Sequence, residues 1–187
     1  MYKRGHFGIG LLVLAPIHYV LLPERPMLAL LVSGILVIQG LPDKDQGISW
    51  LEHRGTSHSL FSAVLSGAVC AGVGWAVGEY FLSPTATWLS TVATSTGTPA
   101  AWWGTQLTMY DAPTMAVIGF AVGAGGIVTH LLGDIITPMG LQPFRPFSER
   151  QYNVASIPAA NQYANSGFFV LGLLAMLVAL TSVYSVP

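Results

Sequence analysis

Charge is what this sequence has least of. Only 8% of its 187 residues are Asp, Glu, Lys or Arg, against about a quarter in a water-soluble domain. A chain so poor in charge cannot cover a water-facing surface, and its mean hydropathy of +0.60 agrees. It reads as an all-α, polytopic integral membrane protein. A basic run is also missing, and the net charge is −1, so nucleic acid as a partner has no electrostatic support. The one cysteine, Cys70, lies inside an apolar run. A lone thiol excludes an internal disulfide and a thiolate-cluster metal site. No small-residue cleavage site follows the first apolar stretch, which runs from behind Lys3 and Arg4 to Leu22-Pro23-Glu24-Arg25-Pro26. That stretch reads as a retained first span rather than a secretory signal.

What the chain does have is a series of apolar runs. Residues 7–22 are interrupted only by His18, and residues 27–41 only by Gln39. Each is short: 16 residues rise about 24 Å against a hydrocarbon core of roughly 30 Å. They are expected to cross with help from flanking residues, or to form a tight hairpin through Pro23 and Pro26. Residues 60–82, 114–136 and 167–186 complete about five spans in a single membrane domain, 1–187. The inner loops are then 42–59 and 137–166, and the outer loop is 83–113.

The basic residues test this layout. With the N-terminus cytoplasmic, Lys3, Arg4, Lys44, Arg54, Arg145 and Arg150 lie inside and only Arg25 outside, as the positive-inside rule asks. The outer loop has no Lys or Arg; Trp88, Trp102, Trp103 and Tyr110 suit an interfacial belt there. We expect that loop to lie on the outer surface and to carry no chemistry. The same topology puts His6, Asp43, Asp45, His53, His58 and the end of the fourth span on one side, the cytoplasmic face of the cell membrane. His18 falls near the other. Gly67, Ala71, Gly72, Gly74 and Gly78 mark the third span, and Gly119, Gly123, Gly125 and Gly126 the fourth. Small residues let helices approach closely in lipid. They do not form a phosphate loop, because no strand precedes them and no Lys-Ser/Thr follows.

On the fourth span His130 and Asp134 are four apart and share a helix face, with Thr137 extending the stripe. Pro138 disfavours helical dihedrals at Thr137, so the helix should end near Asp134. An ionisable pair at the mouth of a membrane helix marks a functional site by default; the plainer alternative is a His–Asp hydrogen bond knitting two helices. Leu41-Pro42-Asp43-Lys44-Asp45, taken alone, reads as an ordinary solvated turn. His53-Arg54-Gly55-Thr56-Ser57-His58-Ser59 holds two imidazoles five apart, with a bend at Gly55 to bring them together. Ser57 or Ser59 is suited to cap the next span.

Taken together, these groups point to one metal site. His53, His58, His130 and Asp134 are the leading ligands, Asp43 and Asp45 complete the site or supply a general base, and His6 is a weaker ligand. Imidazole and carboxylate without thiolate suit zinc or manganese, or iron, over copper(I) or an iron–sulfur cluster. More candidates than the four of a simple zinc centre imply orienting groups or a second ion, hence one or two ions per chain. A divalent metal beside lipid headgroups suits hydrolysis. In that reading Asp45 and Arg54 are catalytic, and Arg54 and Arg145 hold a substrate phosphate. Ser59 and Thr137 either contact substrate or cap helices.

The order Gly5-His6, Leu41-Pro42-Asp43-x-Asp45, His53-Arg54-Gly55-x-x-His58-Ser59, then His130-x-x-x-Asp134-x-x-Thr137-Pro138-x-Gly140 resembles the YdjM-like family of inner-membrane proteins. The resemblance runs from residue 5 to about 148, where Pro146-Phe147-Ser148 stands. The third and fourth motifs are specific; the first two alone are weak. Gln46 stands where the family often has His. The resemblance implies a multi-span fold and a membrane-bound, metal-dependent hydrolase, and it fixes no substrate.

Three readings follow. The first is a metal-dependent hydrolase acting on a phosphoester or lipid-like substrate by metal-activated water, with membrane lipids as its surroundings. The second is a metal-free enzyme of the phosphatidic-acid-phosphatase type; the chain lacks that family's Lys-rich first motif and Pro-Ser-Gly-His. The third is a transporter or a metal-stabilised scaffold, and no inverted repeat supports a transporter.

Overall fold

In lipid a spanning backbone satisfies its N–H and C=O groups only within a helix or a closed barrel, and here the apolar runs fold as helices. The computed structural model describes residues 1–47, 55–96 and 100–181. Its helices are α1 (Lys3–Leu21), α2 (Pro26–Val32), α3 (Ile35–Ile38), α4 (Leu60–Val77), α5 (Ser83–Thr96), α6 (Ala100–Thr108), α7 (Ala112–Ile135) and α8 (Gln162–Thr181). Among the described residues there is no strand, only an isolated bridge between Leu141 and Tyr152. Five helical segments are long and apolar enough to cross a membrane: Lys3–Leu21, Pro26–Asp45, Leu60–Ala93, Ala112–Ile135 and Gln162–Thr181. The protein is an all-α polytopic bundle, as its composition requires.

The first two spans gain length from their flanks. Starting at Lys3, α1 has 19 residues and rises about 28 Å, close to the core thickness. The second span is not one continuous helix. A turn at Ser33 and Gly34 separates α2 from α3, and a 3-10 stretch, Pro42–Gly47, follows. The break has a side-chain partner: His18 Nε2 lies 2.9 Å from Ser33 Oγ, which donates to the Ala29 carbonyl at 3.0 Å. Nδ1 of His18 lies 3.0 Å from the Leu14 carbonyl. His18 is therefore a buried pin between the first two spans.

The third span overshoots the expected boundary at residue 82. It continues through a π-helical turn, Gly78–Leu82, into α5. Its 34 residues rise about 51 Å, well beyond a core of roughly 30 Å. Much of the region expected as an outer loop is thus helical, with α5 packed on α6. Its Ser and Thr hydroxyls donate back along the helix, Thr87 to the Ser83 carbonyl and Thr91 to the Thr87 carbonyl. That back-bonding satisfies the hydroxyls within the helix instead of in turns.

The glycine stripes pack helices. A Cβ on Gly74, Gly119 or Gly123 would collide with the backbone of Met115, Cys70 or Ser66 across the α4–α7 contact. α1 and α8 use the same device at Gly8 and Gly172. Beyond α7 the chain turns through Gly140, whose φ of +56° favours glycine. It then returns so that the Val154 and Ile157 amides donate to the Ile135 and Ile136 carbonyls at 3.0 and 3.1 Å. Carbonyls that a helix end leaves over are thereby satisfied. The Leu60 amide donates to the Pro143 carbonyl at 2.8 Å, fastening the start of α4 to this segment. The starts of α1, α4 and α8, the end of α7 and the 3-10 stretch after α3 meet at one end of the bundle.

Candidate metal centre

The end of α7 brings the first two groups in. His130 and Asp134 share a face of its last turns, both at most 2% exposed, and Nε2 of His130 lies 3.5 Å from Asp134 Oδ2. A carboxylate near a helix C-terminus is disfavoured by the helix dipole, and burial adds to that cost. The group is stable here only beside compensating partners. Its Oδ1 faces the Met1 amine at 2.9 Å and His6 Nε2 at 3.5 Å. His6 fits because two neighbours are glycine: a Cβ on Gly133 would fall on its ring, and one on Gly5 would strike Met1 and Asn165. The His6 ring stacks on His130 with centroids 4.0 Å apart.

The third imidazole comes from the segment before α4. His58 ends a short 3-10 turn, Thr56–His58, and is fully buried. Its Nε2 lies 3.6 Å from Asp134 Oδ2 and 3.7 Å from Asp43 Oδ1. Asp43 Oδ1 is also 3.7 Å from His130 Nε2. On the other side of the ring, His58 Nδ1 lies 3.3 Å from Asp45 Oδ2 and 3.0 Å from Ser57 Oγ, which donates to Asp45 at 2.6 Å. Asp45 was expected to complete the site or to serve as a general base. The structure places it behind His58, where a carboxylate fixes the ring tautomer and leaves Nε2 to face the cluster.

Four donor atoms therefore converge: Nε2 of His58 and His130, Oδ1 of Asp43 and Oδ2 of Asp134. The imidazole–carboxylate separations of 3.5–3.7 Å exceed ordinary hydrogen bonds. Ligand atoms of one bound ion, each about 2 Å from it, stand about 3–4 Å apart, so these groups are close enough to share a metal ion. Ring nitrogens Nδ1 and Nε2 of His6 and Nε2 of His130 are buried without a hydrogen bond among the described residues. Two overlapping triads are close enough to hold an ion, His58 with His130 and Asp134, and His6 with Asp43 and His130.

The other expected residues fall elsewhere. His53 and Arg54 lie outside the described residues. Ser59 is the N-cap of α4: its Oγ accepts from the Ser62 amide and donates to the Thr56 carbonyl. Thr137 donates its hydroxyl to the Asp134 carbonyl at 2.8 Å, closing α7. Both hydroxyls are buried and engaged in helix ends. Arg145 faces Glu149 at 3.5 Å.

Sequence reasoning missed Asn165, Gln39 and the position of three cations. Asn165 at the start of α8 accepts from the Tyr2 amide at 3.0 Å and donates to the Ala159 and Asn161 carbonyls. It thereby positions the start of α1, where His6 sits; a buried amide in an apolar span was the available signal. A cavity of about 1180 Å³ opens beside the cluster, and His6, Asp43, His130, Lys3, Arg4 and Lys44 line it.

Fold and site together define a polytopic membrane protein with a buried His/Asp cluster, able to hold a metal ion, at one end of its bundle. The family comparison agrees: the profile of the YdjM inner membrane protein family matches residues 1–186. The chain belongs to that family. No curated protein and no solved structure matches it.

Proposed function

We propose that this chain is a membrane-bound, metal-dependent hydrolase acting on a phosphoester or lipid-like substrate at the cytoplasmic face. The observation that carries the reading is the convergence of two imidazoles and two carboxylates at 3.5–3.7 Å. Zinc or manganese suits this donor set. A divalent ion held there supplies Lewis acidity toward a phosphoryl or acyl oxygen and acidifies water. His58, His130, Asp43 and Asp134 hold it, and Asp45 orients His58. His6 faces the cavity beside them, placed to carry a proton. With one ion per chain His6 would be that proton carrier; with a second it would be a ligand beside Asp43 and His130. The cytoplasmic assignment rests on the basic residues, of which Lys3, Arg4 and Lys44 line the cavity at this end.

Elemental analysis of gently purified protein, with a hydrolysis panel of phosphomonoesters and glycerophospholipids, tests the reading. One or two equivalents of transition metal and activity abolished by chelation are expected. Metal-free folded protein, or activity that survives chelation, would sink it; the latter result is the signature of a histidine-nucleophile phosphatase.

A scaffold reading draws on one feature: the cluster joins residues from the first, second and fourth spans and the turn before the third, which an ion would tie together. In that case His6→Gln, which leaves the four converging donors in place, should have no effect on function.

A further inference from the structure

We propose that the cavity beside the His/Asp cluster binds the phosphate headgroup of a membrane lipid through Lys3, Arg4 and Lys44, with the acyl tail starting against its apolar wall at Phe7 and Leu36. The hydrolase reading is needed only for the fate of the headgroup once bound.

Three of the seven Lys and Arg residues line this one cavity. All three are exposed, and among the described residues no ion pair joins any of them to a carboxylate. Gathered cations repel one another unless an anion sits between them, and a phosphate offers several oxygens to several donors. A second observation is independent of charge. Gln39, 3% exposed, lines the same cavity, and its Oε1 has no hydrogen-bond partner among the described residues. A buried amide oxygen left unpaired is costly, and a headgroup hydroxyl would satisfy it.

The shape favours a lipid over a free phosphate ester. About 1180 Å³ is larger than a typical small-molecule pocket of about 300–1,000 Å³. Deeper along α1 the wall closes, since a Cβ on Gly10 would strike Leu36 and Gln39; nearer the cations the cavity keeps an apolar side. Phe7 and Leu36, from the first two spans, line the cavity. Lys3 and Arg4 precede the apolar part of α1, at the depth where headgroup phosphates lie. A lipid entering from the bilayer would bring its phosphate to the cations and its ester bonds toward His6 and Asp43.

The test uses the full chain with metal content measured on the same sample. Protein is mixed with equal amounts of dioleoyl phosphatidic acid and dioleoylglycerol, and retained lipid is counted by native mass spectrometry. Phosphatidic acid should be retained about tenfold over dioleoylglycerol, the loss expected for one charge-assisted contact. Lys3→Gln/Arg4→Gln/Lys44→Gln should abolish the preference, and Arg25→Gln/Arg150→Gln should keep it. Lys44→Glu alone should reduce it, which covers a triple variant that fails to fold. Glycerol 3-phosphate, the headgroup without tails, should displace the lipid poorly. An undiminished preference in the variants, or ready displacement by glycerol 3-phosphate, would overturn the proposal. A preference present in metal-free protein sinks the metal reading and supports this one; metal bound with no preference sinks this one alone.

Discussion

Asp45 Oδ2 lies 3.3 Å from Nδ1 of His58, while Nε2 of the same ring faces Asp134 at 3.6 Å. One carboxylate stands behind the imidazole and the other shares its target. Replacing Asp45 with Asn keeps the shape and removes the charge that fixes the tautomer. Loss of such a partner costs about 10–100-fold in metal affinity. Competition against a chelator of known affinity should show that drop for Asp45→Asn, with helicity unchanged. Equal affinity in the two proteins would return Asp45 to the role of a base.

The donors themselves should matter more. His130→Ala removes an atom 3.5 Å from Asp134 and 3.7 Å from Asp43 and should leave the purified protein close to metal-free. A ligand present at 100 times its Kd stabilises the folded state by about 2.7 kcal/mol. Chelation should therefore lower the thermal midpoint of the native protein and leave that of the variant unmoved. A midpoint insensitive to chelation in both would count against a bound ion.

Much of this was legible in the sequence, and the remainder was hidden for identifiable reasons. The i, i+4 pair His130 and Asp134, ended by Thr137-Pro138, was readable because helical spacing sets which residues share a face. Charge asymmetry gathered His6, Asp43, Asp45 and His58 at one end before any coordinates. Ser59 and Thr137 could not be told apart as caps or contacts, since a hydroxyl suits both until its acceptor is known. His6 depends on room left by Gly5 and Gly133, a tertiary fit that no periodicity encodes. Lys3, Arg4 and Lys44 were readable only as topology signals. The extension of α4 into α5 was obscured by Ser and Thr, whose hydroxyls are satisfied along the helix instead of in turns.

The orientation can be checked without activity. In a Cys70→Ala background, Trp102→Cys lies in α6 and Lys44→Cys lines the cavity at the cluster end. A membrane-impermeant maleimide applied to intact cells should label the first, and should label the second only after permeabilisation. The opposite pattern would move the cluster to the outer face.

The α4–α7 contact gives a prediction with its own control. A methyl added at Gly119 would strike the Cys70 carbonyl on the facing helix, whereas one added at Gly72 meets nothing within 4 Å. Overpacking of a tight contact costs about 1–3 kcal/mol, because rigid backbone on both sides cannot yield as a flexible side chain would. In a helix interior Ala is otherwise favoured over Gly by roughly 0.5–1 kcal/mol, so Gly72→Ala should be neutral or slightly stabilising. Reversible unfolding in mixed micelles should therefore rank Gly72→Ala at or above the native chain and Gly119→Ala below it. α7 also carries His130 and Asp134, so Gly119→Ala should lose metal at a lower chelator concentration than Gly72→Ala. Equal stability of the two variants would show that α4 and α7 are not in backbone contact.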